Sequence, residues 1–164
     1  MRYYERMKIS DIWKLVIAVV VSEAAGFIGA LFTTPSITTW YATLAHPAFS
    51  PPNWVFAPVW TLLYLLMGIA AYLVWKAGGG RKDVRAALII FLIQLALNAL
   101  WSIIFFGHHD PGVALIDIGL LWLAILATIV AFYKISKGAA YLLIPYIAWV
   151  TFAAYLNYAI WMLN

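Results

Sequence analysis

The residues in this chain best suited to chemistry are tryptophans, tyrosines and amides set three and four positions apart in apolar surroundings. Trp60, Tyr64, Met67, Gly68, Ala71 and Trp75 fall on one stripe. Gln94, Asn98, Trp101 and Phe105 form a second, and Tyr146, Trp149, Ala153 and Asn157 a third. In water such stripes would be core. In lipid, apolar burial does not separate inside from outside, so polar atoms mark the interior: Gln94, Asn98 and Asn157 must face one another, water or a ligand. Pro58, near the start of one apolar segment, and Pro145, inside the last, each remove a backbone hydrogen bond, and bends there open space around Trp60 and Trp149. Ala153, one turn beyond Trp149, adds room without adding chemistry. Rings and a few amides around such a space suit a large, flat, apolar ligand.

The missing chemistry narrows the choice further. With no cysteine, the chain cannot form disulfides, thiolate metal sites, iron–sulfur clusters or a cysteine nucleophile. His46, His108 and His109 all fall in connectors, which leaves no mid-membrane imidazole to ligate a haem iron for electron transfer. The "HHD" run is read as a solvated turn, so no metal site is expected. Nucleophile motifs, phosphate loops and metalloprotease helices are absent. Glu23 stands among small residues (Ser22, Ala25, Gly26, Gly29, Ala30) in the first apolar segment. An ionisable group there needs a partner, a cavity or protonation, and the small residues four apart allow close helix packing, within the chain or across a dimer. Asp117, about one turn into a helix, is read as steadying that helix end or pairing nearby.

The elements that must carry these residues are membrane helices. Of 164 residues, 66% are hydrophobic and 10% charged, far from the composition of a soluble domain. The apolar runs predict a single all-α domain over residues 1–164, a bundle of five transmembrane helices at about 12–32, 54–77, 85–106, 113–134 and 139–162. "GGGRKD", "GHHDPG" and "ISKG" are tight turns, whereas the connector over about 33–53 is long, uncharged and rich in proline and rings. Arg2, Arg6, Lys8 and Lys14, then Lys76, Arg81, Lys82 and Arg85, then Lys134 and Lys137 put all ten basic residues on one face. That face points to lipid head groups rather than nucleic acid as its partner. It predicts a cytoplasmic amino terminus in a bacterial-type cell membrane, with the long loop on the opposite side.

The segments "WYATLAHPAFSPPNWVFAPVWTLLYLLMG", "YLVWK", "QLALNALWSIIFFG", "ALID" and "LLIPYIAWVTFAAYLNY" resemble the translocator protein family, also known as tryptophan-rich sensory proteins and peripheral-type benzodiazepine receptors. The resemblance implies a five-helix bundle, commonly a homodimer, that binds porphyrins, haem and isoquinoline carboxamides in a pocket closed by the first loop and needs no cofactor of its own. Carried over motif by motif, the implied ligand-binding residues are Tyr41 from "WY", Trp60 from "PVW", Asn98 and Trp101 from "LNALW", and Trp149 and Ala153 from "YIAWVTFA". The loop is then a lid whose prolines limit the entropy lost on closure. Some family members are thought to degrade protoporphyrin in light and oxygen, an alternative in which Trp60 and Trp149 would be the reactive indoles. The family pattern has Lys where this chain has His46; if that imidazolium meets a porphyrin carboxylate, binding becomes pH-dependent near the histidine range. The sterol pattern of the animal proteins ends in a basic residue, whereas "YLNYAIWML" has Met162 there, so sterol recognition is not carried over.

Overall fold

The computed structural model describes residues 9–164. Arg2, Arg6 and Lys8, counted above toward the basic face, lie outside the described residues. Among the described residues every regular element is helical: α1 (Ile9–Ile37), a short α2 (Trp40–Thr43), α3 (Phe56–Lys76), α4 (Lys82–Ser102), α5 (Pro111–Tyr133), α6 (Lys137–Leu142) and α7 (Ile144–Leu163). A single 3-10 turn, Asn53–Val55, leads into α3, and a π-turn, Ile103–Gly107, ends α4. Five stretches are long and apolar enough to cross a bilayer: Ile9–Ile37, Asn53–Lys76, Lys82–Gly107, Pro111–Tyr133 and Lys137–Leu163.

Local chemistry accounts for several of the boundaries. Asp110 caps α5, its Oδ1 accepting from the Val113 amide at 2.9 Å with Pro111 at the next position, and Ser136 caps α6 in the same way. Of the "HHD" run only Asp110 caps the helix, while His108 and His109 stay in the exposed turn before it. The fifth span breaks at Leu143, just before Pro145, whose ring cannot continue an unbroken helix. Pro58, by contrast, lies in the first turn of α3, where a missing N–H costs little, so the bend anticipated there is not needed.

The first helix departs most from expectation. It runs on through Pro35 to Ile37, which shortens the long connector to 38–52. Hydroxyls accept the work of ending it: Thr39 Oγ1 donates to the Pro35 carbonyl at 2.8 Å, and buried Ser36 donates to the Phe106 carbonyl at 2.8 Å.

Packing closes the spans into a ring. α1 lies against α3 and α4, α4 against α5, α5 against α6 and α7, and α3 against α6, so the order around the bundle is first, second, fifth, fourth, third span. Small residues let α1 approach its neighbours closely. Gly26 sits under the Tyr64 ring, Gly29 against Ser102, and Gly68 against the backbone of Val19. The small-residue face of α1 is therefore used within the chain. A Cβ at Gly68 would come within 2.6 Å of Val19 Cα, so Gly68→Ala must push α1 off α3. The expected loss is about 1–3 kcal/mol, read as a lower thermal midpoint in detergent.

Helix direction gathers Lys14, Lys76, Arg81, Lys82, Arg85, Lys134 and Lys137 at one end of the bundle. The connector 38–52 and the turn through His108 and His109 lie at the other.

Candidate functional site

The half of the bundle away from the basic end holds a cavity of about 520 Å³. Its walls come from the second half of α1, the first half of α3, the end of α4 and α7, with Tyr41 from the connector. Rings dominate. Trp60 stacks on Tyr64 with centroids 5.6 Å apart and meets Tyr146 edge-on at 6.3 Å; Trp101 stacks on Phe105 at 5.0 Å; Phe56 meets Trp149 edge-on at 5.9 Å.

The polar groups divide into those used by the protein and those left open. Tyr64 OH donates to Asn98 Oδ1, Asn98 Nδ2 donates to Tyr146 OH at 2.9 Å, and Tyr146 OH donates to Gln94 Oε1 at 2.8 Å. These side chains are buried, and the chain of bonds ties α3, α4 and α7 together across the cavity floor. Nearer the loop, Trp101 Nε1 donates to Asn157 Oδ1 at 3.0 Å, and Asn157 Nδ2 donates to the Pro111 carbonyl at 2.8 Å. Trp149 differs from Trp101 in one respect. Its Nε1 is buried and has no partner among the described residues. A buried donor left unpaired is costly, so the indole is poised for an acceptor that arrives with a ligand.

The connector is pinned over this end of the bundle. Trp40 stacks on His109 at 4.3 Å, Tyr41 packs on Phe105 and Phe106, and Phe49 stacks on Tyr155 at 5.0 Å. The Asn164 side chain bonds both backbone groups of Ala45, at 2.9 and 3.1 Å. His109 has a left-handed φ of 57°, which turns its ring toward Trp40. Burial pushes the Tyr41 phenol above its ordinary pKa, so it stays a neutral hydrogen-bonding group.

Of the residues singled out from sequence, Tyr41, Trp60, Asn98, Trp101, Trp149 and Ala153 line this one cavity. His46 does not. It is exposed, its Nε2 donates to the Tyr41 carbonyl at 2.9 Å, and its ring lies edge-on to Tyr41 at 4.5 Å. Asp117 is buried with Oδ2 unpaired and lies outside the cavity lining, while Asp110 caps the helix that Asp117 was expected to steady.

Two contributions escaped the sequence reading. The small face of α1, read as a packing seam, is also a cavity wall, with Gly26, Gly29 and Ala30 in its lining. The π-turn, in which the His108 amide bonds the Ile103 carbonyl at 2.9 Å, buries consecutive rings Phe105 and Phe106. The adjacent rings before Gly107 in "FFG" were the available signal for it.

Comparison with known proteins finds relatives along most of the chain. The model of the TspO/MBR family matches residues 18–162. The tryptophan-rich protein TspO of Archaeoglobus fulgidus is 48% identical over 154 residues, covering 94% of this chain and 99% of its own length. The human translocator protein is 45% identical over 139 residues, covering 84% and 82%. The tryptophan-rich sensory protein of Cereibacter sphaeroides is 39% identical over 125 residues, covering 76% and 77%. With five spanning helices and similarity along nearly its whole length, this multi-pass integral membrane protein belongs to the TspO/MBR family.

Proposed function

We propose that this protein binds tetrapyrroles, porphyrin or haem, in the ring-lined cavity and acts as a membrane sensor or carrier for them, accepting isoquinoline carboxamides in the same place. The observation that carries the reading is the unpaired, buried Trp149 Nε1 in the wall of an aromatic cavity of about 520 Å³, within the size range of small-molecule sites. The rings supply stacking area for a flat apolar macrocycle, and the indole N–H supplies one directional bond. No histidine lines the cavity, so a haem would be held by its ring faces rather than through an axial imidazole. The pinned connector serves as the lid. The seven described basic residues at the opposite end favour a cytoplasmic amino terminus in a bacterial-type cell membrane, and a homodimer is the assembly the family resemblance implies.

A second reading rests on the same indoles. Trp60, Trp101 and Trp149 surround the space a porphyrin would fill, so an excited porphyrin with oxygen could exchange oxidising equivalents with them and be degraded.

One experiment separates the readings. Purified protein in detergent is titrated with protoporphyrin IX while tryptophan fluorescence is followed, and the complex is then illuminated in air. Saturable quenching with bleaching no faster than a detergent blank is the result expected of a sensor or carrier. A defined product formed faster than in the blank would make the protein an enzyme. Absence of saturable quenching would end the tetrapyrrole reading.

A further inference from the structure

The charge inside the cavity is one-sided. Glu23, midway along α1, lines it, and among the described residues no Lys, Arg or His does. Glu23 has no salt bridge and no side-chain hydrogen bond among the described residues. Tyr64, the phenol packed on Gly26 one turn away, has its hydroxyl proton committed to Asn98. A carboxyl group at this depth is costly to keep, and none of the described residues answers it.

Its position also matters. Phe27, Ala30 and Thr34 on α1, and Ala57 and Thr61 on α3, line the cavity and are at the same time exposed on the outer surface of the bundle. The cavity therefore opens sideways, between the upper halves of α1 and α3, toward the bilayer. The Gly26–Tyr64 contact closes that opening below, and Glu23 stands at its foot. The connector above is held by Asn164, Phe49 and Trp40.

We infer that Glu23 is the specificity-determining residue of this cavity, selecting ligands by charge and direction: it admits an uncharged or N–H-bearing edge at the floor and turns a carboxylate edge away, toward the loop. The inference rests on the tetrapyrrole reading and refines it. Two carboxyl groups confined in one low-dielectric site cannot both ionise cheaply, so a ligand acid placed beside Glu23 is penalised by repulsion or by forced protonation. An N–H edge meets a waiting acceptor instead. A tetrapyrrole with two propionates is thus held with those acids under the connector, and its neutral ester is free of the constraint.

The test compares protoporphyrin IX with its dimethyl ester at pH 8, using wild type, Glu23→Gln and Glu23→Ala in detergent. The expected result is that both substitutions tighten binding of the diacid about fivefold or more while changing ester affinity less than twofold. Unchanged ester binding also reports that each variant is folded. Diacid affinity indifferent to both substitutions would overturn the inference, as would diacid binding weakened by them, since Glu23 would then be sharing a proton with the ligand acid. Saturation of wild type by neither probe would overturn the tetrapyrrole reading and the inference together, a result distinct from binding that ignores Glu23.

Discussion

Asn98→Ala is expected to lower the stability of the unliganded protein by about 2–4 kcal/mol, the largest loss for any single polar side chain in the bundle. The amide is the central link of a buried chain: it accepts from Tyr64 on α3 and donates to Tyr146 on α7, which in turn donates to Gln94. Removing it orphans one phenol donor and one phenol acceptor, and also leaves a void between α3, α4 and α7. Interhelical hydrogen bonds in membranes average well under 1 kcal/mol each, so the size of the loss comes from abandoned partners rather than from bond strength. Thermal unfolding in detergent reads it directly. A double-mutant cycle with Tyr64→Phe sharpens the test, since the two losses should be clearly less than additive if the phenol and the amide form one unit. Additive losses would mean that Asn98 acts by its volume alone.

The members of that network were legible in the sequence, but their pairing was not. Gln94, Asn98 and Asn157 could be assigned to the interior because an amide facing hydrocarbon is too costly. Nothing in the spacing indicated that Tyr146 would mediate between Gln94 and Asn98 while Asn157 turned to Trp101. The helices were legible from apolar length, and the exception is instructive. "TTPS" reads as a loop by turn chemistry, yet α1 passes through Pro35. In a bilayer the helix keeps backbone groups satisfied, and hydroxyl donors from Ser36 and Thr39 supply what the proline disrupts. The π-turn at Ile103–Gly107 was hidden for a related reason: it shifts the register by one residue, within the uncertainty of any periodicity argument. His46 shows the limit of reading a site by motif. Its neighbour Tyr41 faces the cavity, whereas His46 folds back onto the Tyr41 carbonyl from outside. A ligand acid held under the connector would have to reach past the loop to meet that ring.

Trp149→Phe should weaken protoporphyrin IX binding about tenfold or more and leave the thermal midpoint of the unliganded protein nearly unchanged. Both halves follow from one atom. Trp149 Nε1 is buried without a partner, so its loss takes no hydrogen bond from the protein and relieves a desolvated donor. A ligand acceptor that pairs with it, carbonyl or carboxylate, forfeits about 1–3 kcal/mol when the indole becomes phenyl, since each 1.4 kcal/mol is a factor of ten in affinity. Trp101→Phe is the matched contrast. Trp101 Nε1 donates to Asn157, which holds the Pro111 carbonyl at the start of α5, so this substitution should lower unliganded stability. Its effect on affinity should be the smaller, because a phenyl ring keeps most of the stacking face and the lost bond was never offered to the ligand. Fluorescence titration and thermal unfolding of the two variants side by side give the four numbers required. Equal losses of affinity with equal losses of stability would mean that the two indoles serve only as packing. Separation along the predicted lines would identify Trp149 as the ligand's anchor and Trp101 as the brace that holds the fourth span in place.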